Sequence, residues 1–240
     1  MPTSKTLVRD IRADLLARVD PVYKKGATRF FKEEVLLLGV RTPVHRKLAK
    51  QYWKQIKDWS TKQVYELCED LFARGTMEES MIAFAFAREL KDRILPSDFP
   101  RMERWLKRYV TNWALCDEFC THALGALIHR HPELLQRTVA WRSSKNRWLR
   151  RASAVILIYP WRKENNFLQD IFETADALLL DEDDMVQKGY GWMLKVAADF
   201  HTKEVHAFVM ERRDRMPRTA LRYAIEKMPP AMKKRAMARP

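Results

Sequence analysis

The stretch WLRRASAVIL (Trp148–Leu157) can be laid over MVQKGYGWML (Met185–Leu194) and TALRYAIEKM (Thr219–Met228), with apolar residues falling at helical spacing in each. The pattern reaches back through WALCDEFCTH (113–122) to EESMIAFAFA (78–87). One column holds Met81, Asp117, Arg151, Lys188 and Arg222, separated by 36, 34, 37 and 34 residues. A period of that size is one pair of helices, and chains of such pairs stack into a solenoid whose second helices line a concave surface. A polar residue returning once per repeat in an apolar helix belongs on that lining. The competing reading is a solvated stripe on an ordinary bundle.

Composition agrees with an all-α fold. The 240 residues include only six glycines, 47% are hydrophobic, and long Ala/Leu/Lys/Arg/Glu-rich segments dominate. Breakers separate candidate helices near 4–18, 27–37, 42–57, 61–73, 77–91, 98–109, 112–127, 132–142, 145–158, 164–179, 184–198, 202–212 and 216–228. Residues 154–159 (AVILIY) resemble a strand locally, but they continue a helical run without punctuation and are read as helix. A single domain over 1–230 is expected, followed by a short basic tail, AMKKRAMARP (231–240), without fixed structure.

The chain carries 45 Lys+Arg against 31 Asp+Glu, a formal charge of +14. That excess suits a polyanionic partner, nucleic acid before membrane, because neutralising phosphates releases condensed counterions. The longest apolar run, MIAFAFA (81–87), is far below the roughly 20 residues of a membrane span. The charged N-terminus lacks the apolar core of a secretory signal, so a cytoplasmic protein is expected. Cys68, Cys116 and Cys120 are too few for a disulfide framework. Cys116, Cys120 and His122 lack a fourth partner for a metal, and the cysteines read as core. The acidic run 181–184 precedes a helix and reads as its cap.

Along the column, Arg151, Lys188 and Arg222 form a basic row, with Arg150, Lys195, Arg46 and Lys47 as further candidates for a groove that tracks a phosphate backbone. Taken singly, each is an ordinary surface charge. Asp117 is the exception, since a carboxylate repels phosphate and needs a separate purpose. Neighbouring cations should keep it ionised, which makes it a poor general acid and a good fixed anion. Trp113 lies one turn before Asp117 on the same face, and Trp192 lies four positions after Lys188. The bland alternative is that all three are packing or capping residues. Trp53, Trp59, Trp105, Trp141 and Trp161 read as core or interhelix packing, while Trp148, three residues before Arg151, is open between packing and the border of the groove. Gly189 and Gly191, unusual inside a helix, suggest close approach of another helix or of DNA.

The segments LLLGVRTP (36–43), NWALCDEF (112–119), HPELL (131–135), NRWLRRAS (146–153) and VQKGYGWMLKVAA (186–198) together resemble the AlkD family of HEAT-like-repeat DNA alkylation repair glycosylases. The resemblance implies a helical-repeat solenoid with a basic concave face. It also implies excision of N3- and N7-alkylated purines from double-stranded DNA by a monomer, without a cofactor or metal and without flipping the damaged nucleotide. It places the catalytic carboxylate at Asp117, the lesion-flanking indoles at Trp113 and Trp192, and a DNA-contacting arginine at Arg151. Where the family has a tyrosine near the start of the second helix, this chain has Phe30, so a hydroxyl contact is lost while stacking persists.

The chemistry is compatible with that assignment. An N7-alkylated guanine is already cationic and leaves as a neutral base, so no proton donor is needed. Positive charge develops on the deoxyribose instead, as in glycoside hydrolysis. A carboxylate about 4 Å away contributes roughly 4 kcal/mol at an effective dielectric near 20, about a thousandfold in rate. Indole faces add about 0.5–2 kcal/mol each by cation–π contact. Two other functions fit the same repeats: a non-catalytic binder of branched or bent DNA, and a scaffold for an acidic protein.

Overall fold

The computed structural model describes residues 3–164 and 166–238, and among these the regular structure is entirely helical. Residue 165, within the helix expected over 164–179, and residues 239–240, at the end of the expected tail, lie outside the described residues. Two compact units are distinguished, Met1–Phe119 and Cys120–Pro240.

The first unit contains α1 (Ser4–Leu16), α2 (Pro21–Ala27), α3 (Thr42–Ile56), α4 (Thr61–Phe72), α5 (Met77–Glu89), α6 (Phe99–Tyr109) and α7 (Trp113–Phe119). Local chemistry sets several of the starts. Thr3 accepts from the Thr6 N–H ahead of α1, Ser60 and Gln63 form a capping box on α4, and Thr76 accepts from the Glu79 N–H on α5. Helix α5 packs against α3, α4 and α7, and α1 against α3 and α4. An aromatic cluster fills the interior. Phe84 stacks on Phe119 at 4.7 Å, Phe72 on Tyr109 at 4.8 Å, and Tyr65 meets Trp105 edge-on at 5.3 Å.

The helix expected over 27–37 does not form. Asp20 caps an earlier helix, accepting from the Tyr23 N–H at 2.9 Å with Pro21 in the first turn. After a 3-10 turn, Thr28–Phe30, the chain runs in irregular conformation to Arg41. The C-terminal end of the apolar run 35–38 and the two residues after it are held out of helix by a carboxylate from α5. Glu78, 3% exposed, accepts from the backbone N–H groups of Leu38 at 3.0 Å, Gly39 at 2.7 Å and Val40 at 3.0 Å. Gly39 sits at φ +102°, where a side chain would be strained, and a Cβ there would lie 2.7 Å from that of Lys24. Arg41 returns to Asp20 at 2.7 Å. The capping hydrogen bond first, and this guanidinium second, hold the Asp20 carboxyl below its usual range.

The second unit begins with a π turn, Cys120–Leu124, and continues through α8 (Gly125–Arg130), α9 (Leu135–Thr138), α10 (Arg147–Val155), α11 (Ile158–Glu164), α12 (Leu168–Ala177), α13 (Asp184–Ala197), α14 (Thr202–Arg212), α15 (Arg218–Ala224) and α16 (Pro230–Met237). Helix α10 packs on α13, and α13 on α15. These are the helices of the repeated column, packed in chain order as helical pairs require. Helix α11 is tied to α13 by the Trp161 indole N–H, which donates to the Val196 carbonyl at 3.2 Å. Tyr190 donates to Leu179 at 3.0 Å, and burial pushes its phenol pKa up.

Several expected boundaries change. The helix expected over 112–127 carries a π turn within it, and that over 132–142 is a short α-helix between 3-10 turns. The segment AVILIY is helical in two pieces with a turn at Ile156–Leu157. Pro160 explains the restart: it cannot sit deep in a continuous helix, but it is tolerated in the first turn of α11. The stretch after Pro230, expected to lack structure, carries α16, whose Ala236 is buried. Cys68, Cys116 and Cys120 are all buried, as core cysteines should be. Burial pushes the Cys68 thiol pKa up. Trp59, Trp105, Trp141, Trp148 and Trp161 are buried, and Trp53 is half-buried on α3 against Phe86 of α5.

Candidate functional site

In the first unit the candidate residues gather around α7. Asn112 opens the helix, its side-chain oxygen accepting from the Leu115 N–H at 3.1 Å. Leu115, Cys116 and Phe119 turn inward, which leaves Trp113 and Asp117 half-buried one turn apart. The indole is held on two sides. Its Nε1–H donates to the Phe30 carbonyl at 3.4 Å, and its ring stacks on Phe31 at 5.7 Å with the planes 23° apart. Phe30 itself is 74% exposed, at the end of a 3-10 turn rather than near the start of a helix. The ring in contact with Trp113 is therefore the neighbouring Phe31. Sequence reading missed it, because only the irregular path of residues 31–41 brings it there.

Glu118 follows Asp117 and is clamped by two arginines, Arg88 at 3.1 Å and Arg46 at 3.9 Å. The local result is a fixed indole with one carboxylate a turn away and a second carboxylate next to it engaged by cations. Lys47 is exposed on α3 beside Arg46. His45, on the same helix, is buried. Burial pushes its imidazole pKa down, against the pull of Glu78, so it is neutral at neutral pH.

In the second unit the members of the basic row differ in exposure. Arg151 is only 5% exposed, and its guanidinium donates to the Met185 carbonyl on α13. Gly189 makes room for it: a Cβ there would lie 3.0 Å from the Arg151 Cγ. Gly191 serves α15 in the same way, since a Cβ would lie 2.7 Å from the Tyr223 Cβ and 2.8 Å from the Ala220 carbonyl oxygen. Both glycines are thus accounted for by packing inside the unit.

Arg150 pairs with Asp181 at 2.6 Å, Lys188 with Asp184 at 3.0 Å, and Lys195 with Glu226 at 3.0 Å while lying over the Tyr223 ring. Arg222 is exposed. The acidic run acts as expected of a cap, with Asp183 accepting from the Met185 N–H at 2.9 Å and pairing with Arg147 at 2.6 Å. Trp192 is half-buried on α13. The lysine pairs are partly exposed and worth about 0–1 kcal/mol each, so a phosphate can displace the carboxylate at little cost.

Sequence reading also missed the length of the stripe on α3, where Lys50 and Lys54 extend Arg46 and Lys47 at helical spacing along the exposed side. The 3-4 spacing of these cations was a visible signal.

Helices packed pairwise in chain order define a helical-repeat protein. The comparisons identify the group. The family model for the DNA alkylation repair enzyme matches residues 11–228, and the chain belongs to that family. A solved structure, a predicted DNA alkylation repair enzyme from Enterococcus faecalis, aligns with a TM-score of 0.79 over 89% of this chain and 98% of its own, at 16% identity. At that identity the likeness speaks for the fold alone. A search of curated proteins finds no match. Among the described residues, no helix is long and apolar enough to cross a membrane.

Proposed function

We propose that the protein is a DNA glycosylase that hydrolyses the N-glycosidic bond of cationic N3- and N7-alkylated purines, such as 7-methylguanine and 3-methyladenine, in double-stranded DNA. The observation that carries this reading is the pairing of a fixed indole, Trp113, with a half-buried carboxylate one turn away, in a chain of +14 whose family repairs alkylated DNA. Cleavage of the bond from C1′ releases the alkylated purine as a neutral base. Water supplies hydroxide to C1′ and a proton to solvent, so the balance needs no cofactor.

Asp117 stabilises the cationic sugar and orients the water. Trp113 presents an indole to the lesion nucleotide, and Trp192 takes the second indole role implied by the family resemblance. Lys188, Lys195, Arg222, Arg46 and Lys47 exchange their surroundings for phosphates. Arg151 is better read as a strut that positions α10 against α13, because its guanidinium already serves a backbone carbonyl. No pocket has to enclose the base if it stays stacked, which favours tolerance of bulky adducts.

The deciding experiment is single-turnover release of 7-methylguanine from a defined duplex, comparing the parent protein with Asp117→Asn. A loss of about a thousandfold is expected from the electrostatic argument. Equal rates would remove Asp117 from this role. Tight binding without release by either protein would favour a DNA-structure binder.

A further inference from the structure

The stripe on α3 borders a groove between α3 and α5 with a volume of about 310 Å3, at the lower end of small-ligand sites. Its apolar wall is formed by Trp53, half-buried, and Phe86, whose ring centroids are 6.2 Å apart. Its rim is cationic: Lys50 and Lys54 lie one turn apart on α3, and Arg88 faces them from α5. Lys50 and Lys54 are exposed and take part in no ion pair among the described residues. The one carboxylate on the rim, Glu89, lies 3.6 Å from Arg88. Arg88 also holds Glu118, so the groove adjoins the helix that carries Trp113 and Asp117.

An aromatic wall beneath unpaired lysines recognises a flat ring attached to a phosphate. We propose that this groove receives one unstacked nucleotide of the bound DNA, with its base against Trp53 and its phosphate between Lys50 and Lys54. The proposal rests on the DNA-binding reading above and extends it to a site distinct from the scissile nucleotide. The cations supply affinity without sequence preference, and the indole supplies stacking that every base accepts. Substrates with a nucleotide already out of the stack, opposite or beside a lesion, are therefore favoured, because the cost of unstacking has been met in advance.

The test is equilibrium binding, by fluorescence anisotropy, of a fully paired duplex and of the same duplex carrying one bulged adenosine. The full chain is compared with Trp53→Leu and with the double variant K50Q/K54Q. The parent is expected to prefer the bulged duplex by about tenfold, within the range that one base–aromatic stack provides. Trp53→Leu should lose that preference while keeping its affinity for the paired duplex, which also verifies its folding. K50Q/K54Q should weaken bulge binding and lower the salt dependence of that binding by about one to two phosphate contacts.

Equal parent affinities for the two duplexes, or a preference that survives in both variants, would overturn the proposal and leave DNA binding intact. Absence of binding to either duplex would remove the DNA reading and this one together. Displacement of the bulged duplex by micromolar free deoxyadenosine monophosphate would assign the groove to free nucleotides and overturn it as well.

Discussion

Replacing Glu78 by glutamine probes how the fold holds the candidate site. The carboxylate sits 3% exposed and accepts three backbone N–H groups, from Leu38, Gly39 and Val40. Those residues belong to the irregular segment that begins at Phe31, the ring against Trp113. Glutamine has the same shape but one accepting oxygen. If that oxygen keeps Gly39 and Val40, the amide NH2 is left facing the Leu38 N–H, donor against donor. An unsatisfied buried donor costs about 1–3 kcal/mol, and loss of charge assistance at the other two bonds costs about 0.5–1 kcal/mol each.

Removing a buried charge offsets part of this, for a net loss of about 2–4 kcal/mol. In a chain of this size, each kcal/mol moves Tm by roughly 2–4 °C, so a drop on the order of 4–16 °C is expected. Thermal melts followed by circular dichroism give the global value, and hydrogen exchange at Leu38, Gly39 and Val40 gives the local one. Exchange at those three amides should rise by far more than at the α4 core. Unchanged exchange together with a Tm within a degree of the parent would refute the idea that this carboxylate organises the segment.

Two further outcomes follow from the same geometry. Gly191→Ala places a Cβ 2.7 Å from the Tyr223 Cβ and 2.8 Å from the Ala220 carbonyl oxygen, so α15 must shift. The overpacking cost of about 1–3 kcal/mol outweighs the roughly 1 kcal/mol gained from helix propensity. Gly189→Ala places a Cβ 3.0 Å from the Arg151 Cγ and at ordinary contact distance, 3.6 Å, from the Val155 Cγ2, with no backbone atom in the way. Its denaturation midpoint should therefore stay nearer the parent's, and the reverse order would contradict the packing account. His45 has a lower pKa folded than unfolded, because burial disfavours its charged form. Between the two values the unfolded chain binds the extra proton, so stability is full above the unfolded value of about 6.5 and declines as pH falls below it. His45→Gln should flatten that part of a Tm-against-pH curve, and a parallel curve would show that other groups set the acid limb.

The class of fold was readable in the primary structure because helical-pair repeats leave a periodic trace that needs no knowledge of the third dimension. Residues 81, 117, 151, 188 and 222 all fall on column helices, and the +14 charge pointed to a polyanion before any coordinate was considered. Trp113 and Asp117 were legible as a pair because four positions on one helix guarantee a shared face. Which cations remain exposed was not legible. Arg151 and Arg222 occupy equivalent places in the repeat, yet one is buried against the Met185 carbonyl and the other faces solvent. Periodicity assigns a face, whereas burial depends on what the neighbouring helix brings to it, here a glycine that admits an arginine side chain. The path of residues 31–41 was hidden for the same reason. An apolar run such as VLLLG is locally compatible with helix, and a carboxylate some 40 residues away in the chain ties its end into an irregular path.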